Sequence, residues 1–325
     1  MKKLLLTIFL LSTPLSNVAF SNAAMPGFWN IGTGQVFTPS FKEEEKYSEK
    51  IKMESEVVKV LLFKGFAVVK GEYNMLNLSD KYIKIHVGYP DHGVFRNEKV
   101  SNIIFKELDN ITVKVNDELK EIKLSKDYNK NAKWFIWNND FKAKQITKIQ
   151  VYYMIDNHFS SLRRGYNRED GNGFSYIIES GKIWADKIGK GNILIKLEDG
   201  LEYENILGVL PEKTLTFSKE NKIIEYSFSN LEPKDSDNVV VRYENFTDEN
   251  FDYNKIKNDY KKYYSLIDST NFEINSKDKE VIEKSDFKVR DKIGFVIITI
   301  LFLSLLAFLF VLSFFVSKVK RKKKK

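Results

Sequence analysis

An uncharged apolar run near the C-terminus constrains this chain more than any other feature of its sequence. The 25 residues between Lys292 and Lys318, IGFVIITILFLSLLAFLFVLSFFVS, contain no charged side chain. At a rise of about 1.5 Å per residue, a helix of this length exceeds a hydrocarbon core of roughly 30 Å. A buried helix of a soluble domain is rarely apolar on every face over such a length. The run therefore predicts a single transmembrane helix over residues 293–317.

The basic tail that follows this run, residues 318–325, predicts its orientation. The tail contains seven Lys and Arg residues, which places it in the cytoplasm by the positive-inside rule. The same cations are expected to contact anionic lipid headgroups. A sortase signal is a weaker interpretation, because residues 285–292 (SDFKVRDK) contain no LPxTG-type motif. In a eukaryote, the terminal lysines would instead fit an endoplasmic-reticulum retrieval signal.

The N-terminus has the pattern of a signal peptide over residues 1–24. Lys2 and Lys3 precede a short apolar run, Leu4–Leu11, which is too short to span a bilayer. Small residues of the kind that signal peptidase requires follow at Ser21, Ala23 and Ala24. Cleavage after Ala23 or Ala24 is therefore predicted, with an uncleaved anchor as the alternative.

Charge and cysteine content exclude several classes of function. Lys2 and Lys3 contribute +2 and the tail contributes +7 to a net charge of +8, which leaves −1 for all the residues between. A nearly neutral ectodomain has no unbalanced positive field to collect phosphates, so no nucleic-acid binding is expected. The chain has 0 cysteines, which excludes disulfides, a cysteine nucleophile and a lipoprotein anchor and favours a bacterial source.

The body of the chain alternates apolar and polar residues with a period of two. Ile83, Ile85 and Val87 alternate with Lys84 and His86, and similar runs recur up to residue 244. This alternation is typical of strands with one buried and one solvated face. We predict a mostly β fold, an antiparallel β-sandwich ectodomain. We predict that the ectodomain consists of two lobes, residues 25–125 and 126–246; the alternative is one larger sandwich.

The pattern changes to a helical period after residue 247. Ile256, Tyr260, Tyr263 and Ile267 are spaced to share one face of a helix. Residues 247–292 are therefore predicted to form a juxtamembrane amphipathic helix and a polar stalk. Packing of the helix against the β body is favoured over binding to a partner or to lipid headgroups.

Candidate chemical groups are few. His86 is expected on the wet face of its strand beside Lys84, and no histidine has HExxH or HxH spacing. We predict no catalytic residue, no metal site and no cofactor, although Asp–His pairs at Asp91/His92 and Asp156/His158 leave a metal site open. The acidic run Glu43–Glu45 is expected to be solvated. Core packing is favoured over sugar stacking for Trp134, Trp137, Phe141 and Trp184.

The candidate recognition surface is the predicted long loop Phe159–Gly173. It carries Arg163, Arg164, Tyr166 and Arg168, and loops on rigid sandwiches often bind ligands. Its last six residues, REDGNG, are as small and acidic as a calcium loop but lack the ligand spacing and closing Glu of an EF-hand. Calcium binding there is kept as an alternative.

The segment 51–90 resembles a family of exported, membrane-anchored bacterial proteins that is defined by a domain of unknown function. An "I-x-M-x-S-E" phrase precedes a strand, a second strand ends in "N-x-S/T-D-K", and a third closes in an aromatic-Pro step. The matching residues are Ile51, Met53, Ser55, Glu56, Asn77, Ser79, Asp80, Lys81, Tyr89 and Pro90. The resemblance implies an exported β-sandwich and no particular activity.

These observations predict a membrane-anchored extracytoplasmic β-sandwich that binds or scaffolds a component of the cell envelope, with an envelope protein as one possible partner. Two different functions stay open beside it. A hydrolase of envelope polymers would need convergent carboxylates such as Asp156, Glu169 and Asp170. An accessory subunit of a signalling or transport complex would act through its membrane helix.

Overall fold

The structure is a computed structural model, and it describes residues 23, 27–30, 36–39, 41–90, 94–95, 102–104, 108–124, 134–158, 160–164, 167–246, 251–287 and 298–311. The described chain is mostly β, as the alternating pattern predicts. Its strands are β1 (Gly27–Asn30), β2 (Val36–Pro39), β3 (Ile51–Phe63), β4 (Phe66–Asn77), β5 (Ile83–Pro90), β6 (Val94–Phe95), β7 (Asn102–Ile104), β8 (Leu108–Val115), β9 (Glu118–Leu119), β10 (Lys123–Leu124), β11 (Trp134–Phe141), β12 (Ile146–Asp156), β13 (Ser160–Arg164), β14 (Asn167–Tyr176), β15 (Ile188–Leu197), β16 (Ile206–Leu210), β17 (Thr216–Ser218), β18 (Ile223–Leu231), β19 (Val239–Tyr243) and β20 (Lys279–Val281). Its helices are α1 (Glu45–Ser48), α2 (Tyr253–Asn258), α3 (Tyr260–Ser269) and α4 (298–311).

The largest element is a nine-stranded sheet in the order β20-β17-β18-β15-β3-β4-β12-β8-β9. β3 and β4 form a long hairpin whose turn contains Gly65 at a φ of 98°, a conformation that glycine adopts readily. β15 pairs with β3 in parallel, so the prediction of a purely antiparallel sandwich is wrong at this pair. A parallel neighbour needs a crossover, and the chain between β3 and β15 makes it through the second layer.

The second layer consists of a six-stranded sheet, β16-β19-β14-β13-β7-β6, and a three-stranded sheet, β10-β11-β5. The main core lies between this layer and one face of the nine-stranded sheet. Val60, Val69 and Val151 from the large sheet belong to the same buried cluster as Val87 and Phe174 from the second layer. Burying each such side chain stabilises the fold by about 1.5–3 kcal/mol, which makes this layer contact the principal source of stability.

A bulge in β3 changes which side chains enter the core. Ile51 and Met53 are buried, and the register with β4 then shifts between Met53 and Ser55. Because successive side chains on a strand alternate faces, one extra residue reverses the parity of everything that follows. Glu56 therefore points inward, where it is 0% exposed.

Helices α2 and α3 cover part of the opposite face of the nine-stranded sheet. Ile267 of α3 is fully buried in a second apolar cluster with Leu61, Val68 and Met154 of the sheet. A hydrogen bond of 2.8 Å from Lys70 to Asp268 fastens α3 to β4. The prediction that the amphipathic helix packs against the β body is confirmed.

The chain after α3 is not a free stalk over its described part. β20 pairs with β17 of the large sheet, whereas the N–H of Val209 in β16 donates to the carbonyl of Lys284 at 3.1 Å. Phe287 is buried at 6% exposure. Residues 279–287 therefore join the two layers, and the prediction of a polar connector is wrong for them. Residues 288–292 lie outside the described residues.

The predicted boundary between residues 125 and 126 does not separate two sheets. β4 pairs with β12 over its whole length, and β3 pairs with β15, so strands from both predicted lobes share the nine-stranded sheet. The breaks in composition therefore mark loops between strands of one sheet, not a boundary between domains. The local sequence pattern does not show which distant strands pair.

The two predicted membrane-targeting segments fall mostly outside the described residues. Within residues 1–24, only Ala23 is described, and it is fully buried. Residues 298–311 are helical, and their large apolar side chains are 47–76% exposed. The rest of the predicted span, residues 293–297 and 312–317, and the tail, residues 318–325, are not among the described residues. Within the described ranges, no helix combines the length and the apolarity needed to cross a bilayer.

Candidate functional site

A groove of about 480 Å³ lies on the outer face of the three-stranded sheet. We call it the His86 groove. Strand register builds its floor, because Lys84 of β5 faces Asp140 of β11, and His86 faces Asn138. The alternating sequence places Ile85 and Val87 in the core and their polar neighbours outside. The lining residues are Phe41, Lys84, His86, Lys120, Glu121, Lys123, Ile136, Trp137, Asn138 and Asp140.

The imidazole of His86 is held by a carboxylate from the N-terminal segment. Glu44 is the last residue of the short turn Lys42–Glu44 before α1, and its Oε2 accepts from the backbone N–H of His86 at 2.7 Å. Its Oε1 lies 2.8 Å from Nδ1 of the same histidine. Because an ionised carboxylate can only accept, Nδ1 donates in this pair, and Nε2 is the nitrogen that stays available to a ligand. The prediction that Glu44 belongs to a solvated acidic run is wrong.

Phe41 completes the support of His86. Its ring stacks on the imidazole with centroids 4.0 Å apart and planes 9° from parallel. Glu44 also occupies the outer edge of β5, a strand that pairs with β11 on its other side. The N-terminal segment thus fixes the histidine and covers an otherwise open strand edge.

The charges at the groove come from three lysines and two carboxylates. Asp140 accepts a hydrogen bond of 2.5 Å from the hydroxyl of Tyr82, and this bond raises the pKa of Tyr82. Lys120 lies 3.5 Å from Glu118, whose side chain is 79% exposed. Lys84 is an exposed residue of the groove and makes no ion pair within the described part of the chain.

A second cavity of about 270 Å³ adjoins the groove. Lys120 and Asp140 line both cavities, so the two are neighbours on the surface. The second cavity extends between β8 and β12 to the exposed side chain of Ile146.

A second polar cluster lies in the core and is closed to solvent. The hydroxyl of Tyr176 donates to Glu56 at 2.5 Å and lies 2.9 Å from the hydroxyl of Tyr73. Tyr89 donates to Tyr153 at 3.3 Å. All five residues are at most 1% exposed, and burial raises the pKa of each of the four tyrosines. Because the cluster has no access to solvent, we treat it as a structural network.

The predicted recognition loop is a β-hairpin. β13 pairs with β14, so Arg163 faces Arg168 and Arg164 faces Asn167 across a two-residue connection. Tyr166 lies outside the described residues. The prediction of a long exposed loop over Phe159–Gly173 is therefore wrong, because pairing on both sides of β14 holds its glycines and polar residues in an extended strand. A recognition role for the hairpin's arginines stays a prediction.

The calcium, metal and sugar-stacking hypotheses fare differently in the structure. The REDGNG segment lies within β14 and is not a calcium loop. Asp156 accepts from the backbone N–H of His158 at 2.9 Å in a local turn, and Asp91 and His92 lie outside the described residues. No cluster of three metal-ligating side chains occurs in the described ranges. Packing in the core is confirmed for the aromatic residues Trp134, Trp137, Phe141 and Trp184.

Sequence reasoning identified part of the groove and missed the rest. His86 and Lys84 were expected on a wet strand face, and both line the groove. Phe41 and Glu44 were missed, because they meet His86 from more than 40 residues away in the chain. The only local hint of their role in the sequence is the spacing of Phe41 and Glu44, three residues apart in a polar segment.

The fold and the groove define a two-layer β protein with an open site on its second layer. No family model matches the chain, and no curated protein matches it. Among solved structures, a candidate nutrient-binding protein from Legionella pneumophila has a TM-score of 0.43 and 14% identity over 71% of this chain and 77% of its own. An M1 zinc metallopeptidase from Deinococcus radiodurans has a TM-score of 0.33 and 8% identity over 60% of this chain and 42% of its own. Yeast LTA4 hydrolase has a TM-score of 0.34 and 8% identity over 60% of this chain and 29% of its own. The chain thus spans less than half of these two enzymes, and none of the similarities bears on function.

Proposed function

We propose that the protein is an extracytoplasmic binding protein, anchored by its C-terminal helix, that holds a component of the cell envelope in the His86 groove. The observation that carries the proposal is the histidine itself. Two contacts from Glu44 and a stacked ring from Phe41 fix His86 in an open groove. A solvated surface histidine needs no such support, whereas a ligand-binding side chain gains from preorganisation.

The size of the groove suits a ligand of moderate size. Small-molecule sites typically occupy about 300–1,000 Å³ and combine apolar walls with a few fixed polar groups. The His86 groove has about 480 Å³, apolar contacts from Phe41 and Ile136, and polar contacts from His86, Asn138 and Asp140.

The chain ends support a membrane-anchored placement. The predicted signal peptide would export the body, and the uncharged run 293–317 followed by seven cations would stop transfer. Outward-facing apolar side chains on helix α4 suit a lipid environment. In this arrangement the basic tail lies in the cytoplasm on anionic headgroups, and the sandwich faces the envelope.

The proposal is tested by site-specific photo-crosslinking in native membranes. A photoreactive amino acid replaces Lys84 in the full chain, and the matched control replaces Lys277, next to β20 at the opposite edge of the nine-stranded sheet from β9. We expect a discrete envelope adduct from position 84 and none from position 277. An adduct of the same kind from both positions, or none from position 84, would overturn the proposal.

A further inference from the structure

The chain leaves the β body along the first residues of β16. The carbonyl of Lys284 accepts from the backbone N–H of Val209 at 3.1 Å. Two residues later, the N–H of Asp286 donates to the carbonyl of Leu207 at 3.1 Å. Phe287, the last described residue of the body, is buried beside the same strand. The departing segment therefore runs antiparallel to β16, toward the residue at which that strand begins.

The beginning of β16 lies beside the turn between β3 and β4. Ile206, its first residue, is paired with Tyr243 of β19. The hydroxyl of Tyr243 donates to the carbonyl of Phe63 at 3.1 Å and accepts from the N–H of Gly65 at 3.3 Å. One end of the sandwich thus gathers the β3–β4 turn and the point where the chain departs. We call it the exit end, and it consists of the β3–β4 turn, residues 203–208, residues 242–244 and residues 286–287.

The His86 groove lies toward the opposite end of the sandwich. β4 has 12 residues between the β3–β4 turn and its last residue, Asn77, so its two ends are about 35 Å apart at about 3.3 Å per residue. The side chain of Asn77 donates to the carbonyl of Phe141 at 3.0 Å, and Phe141 faces Ile83, the first residue of β5. Lys84 follows Ile83 and lines the groove. The groove is therefore nearer to the far end of β4 than to the exit end.

The length of chain after the body limits how far the exit end can stand from lipid. Only the five residues 288–292 separate Phe287 from the uncharged run 293–317. Fully extended, this tether reaches about 20 Å, and the headgroup layer takes up part of that length. With the run in the bilayer, the exit end is held at the lipid surface, whereas the far end of β4 has no such restraint.

The direction of the departing segment favours an upright body over one that lies on its side. Residues 284–287 advance along β16 toward the exit end, so the chain points out of that end as it leaves. A body lying flat would need the tether to turn sharply within its five residues, which use much of their reach to cross the headgroup layer.

We infer that the exit end faces the outer lipid headgroups and that the short tether holds the His86 groove on the side of the body turned away from the bilayer. The inference rests on the membrane anchor of the proposed function and adds which surface of the body meets lipid. It gives the groove access to envelope components beyond the lipid surface.

Energy transfer from single fluorescent labels to acceptor lipids tests this orientation. The full chain has 0 cysteines, so the variants E204C and D80C each carry one donor dye. Both replaced side chains are exposed, Glu204 at the exit end and Asp80 in the turn between β4 and β5. The nanodiscs contain phosphatidylcholine and phosphatidylglycerol with an acceptor dye on the headgroups. We expect several-fold stronger transfer from position 204 than from position 80. Equal transfer, or stronger transfer from position 80, would overturn the orientation.

A longer tether provides the second measurement. An insertion of about 20 Gly and Ser residues after residue 290 adds a flexible segment with a mean span of about 25 Å. We expect transfer from position 204 to fall toward the value for position 80, because the exit end is then free to leave the surface. Transfer from position 204 that the insertion leaves unchanged would overturn the role of the tether.

A third label separates failure of the orientation from failure of the anchor. K318C places the donor dye directly after the uncharged run, so its transfer reports insertion into the bilayer. Absence of transfer from K318C would overturn the membrane anchor and with it the inference. Transfer from K318C together with equal transfer from positions 204 and 80 would overturn the orientation alone, and capture of an envelope adduct at position 84 would still support the proposed function.

Discussion

Glu56 shows how one extra residue in a strand, a β-bulge, changes the face to which a side chain points. Alternation from Ile51 and Met53 would place Glu56 on the outer face, but the bulge before Ser55 turns it into the core. There its carboxyl group accepts a hydrogen bond of 2.5 Å from the hydroxyl of Tyr176. A carboxyl group is stable in a protein core only where hydrogen-bond donors satisfy it. Because the bulge depends on pairing with β4, the sequence pattern of β3 alone did not reveal it.

The variant Y176F tests this buried network. It removes the donor to Glu56 and the partner of the Tyr73 hydroxyl. We expect the free energy of unfolding to fall by about 1–3 kcal/mol, the usual effect of breaking a buried hydrogen bond. Urea unfolding followed by circular dichroism measures it. The matched control is Y226F, because Tyr226 is 8% exposed and its hydroxyl has no hydrogen bond in the described part of the chain. Equal effects of the two variants would contradict the network.

Gly71 provides a second test at the residue scale. A methyl group added there would overlap the phenol of Tyr73, whose Cζ would lie 2.7 Å from it. Forcing extra volume into a packed core costs about 1–3 kcal/mol. We expect G71A to lower the urea midpoint accordingly, and G71A to cost less in a Y73F background because the hydroxyl is gone. A double-mutant cycle measures the difference; additive effects would show that the two positions do not meet.

At the scale of elements, a partly buried ion pair adds to the apolar packing that attaches α3 to the sheet. Asp268 accepts from Lys70 at 2.8 Å and from the hydroxyl of Tyr152 at 3.0 Å. Burial alone would lower the pKa of Lys70, but the hydrogen bond to Asp268 and the charge of Glu72 raise it overall. The charged form of Lys70 is therefore favoured in the folded protein.

The variant D268A tests that attachment. We expect it to cost about 1–2 kcal/mol, discounted because the Asp268 side chain is 44% exposed. Since the pKa of Lys70 is raised on folding, its stabilisation is fully present below the unfolded pKa of 10.5 and is lost as the pH rises further. The gap between wild type and D268A in urea midpoint should therefore be the same at pH 7 and at pH 9, where the fold is stable and Lys70 is charged; a gap that already shrinks between these two pH values would contradict the role of the Lys70 charge. The control D259A removes a carboxylate beside α3 that makes no side-chain hydrogen bond or ion pair in the described chain, and it should have little effect.

Elements were predictable where the local pattern carries the information. The alternation of Ile83, Ile85 and Val87 predicts β5, and the spacing of Ile256, Tyr260 and Tyr263 predicts the helical region α2–α3. The hairpin β13–β14 was not predictable, because its glycines and charges are typical of loops. Its extended form comes from pairing with β7 and β19, whose positions the local sequence does not indicate.

At the scale of the whole molecule, five fully buried tyrosines predict sensitivity to alkali. Burial raises the pKa values of Tyr73, Tyr89, Tyr153, Tyr176 and Tyr243 in the folded protein. Each stabilises the fold fully below the unfolded pKa of about 10 and stops doing so as the pH rises above it. We expect a flat stability from pH 7 to 9 and a steep loss above about pH 10. Exposed tyrosines can ionise in the folded protein, so the test is the additional tyrosinate absorbance of the five buried residues, which should appear only together with unfolding. Ionisation of these five residues in the folded state would contradict this.

The division of the chain into lobes failed for a reason that applies to the whole molecule. Strands from both halves interleave in the nine-stranded sheet, and residues 279–287, which follow α3, join the two layers. A polar stretch in the sequence indicates a solvated loop, but it does not indicate which of the strands before and after the loop pair with each other. The groove depends on the same long-range order, because it needs Phe41 and Glu44 beside β5.

We propose that the groove lies outside the membrane that anchors the chain and that the basic tail lies inside it. Because the chain has no cysteine of its own, the side of the membrane on which each position lies can be measured by labelling single introduced cysteines. Single-cysteine variants K84C and K325C are expressed as full chains in a sequence that has 0 cysteines of its own. Intact spheroplasts are treated with a membrane-impermeant maleimide, before and after permeabilisation. We predict labelling of K84C in intact spheroplasts and labelling of K325C only after permeabilisation. Labelling of K325C in intact spheroplasts, or protection of K84C until they are permeabilised, would contradict the proposed topology.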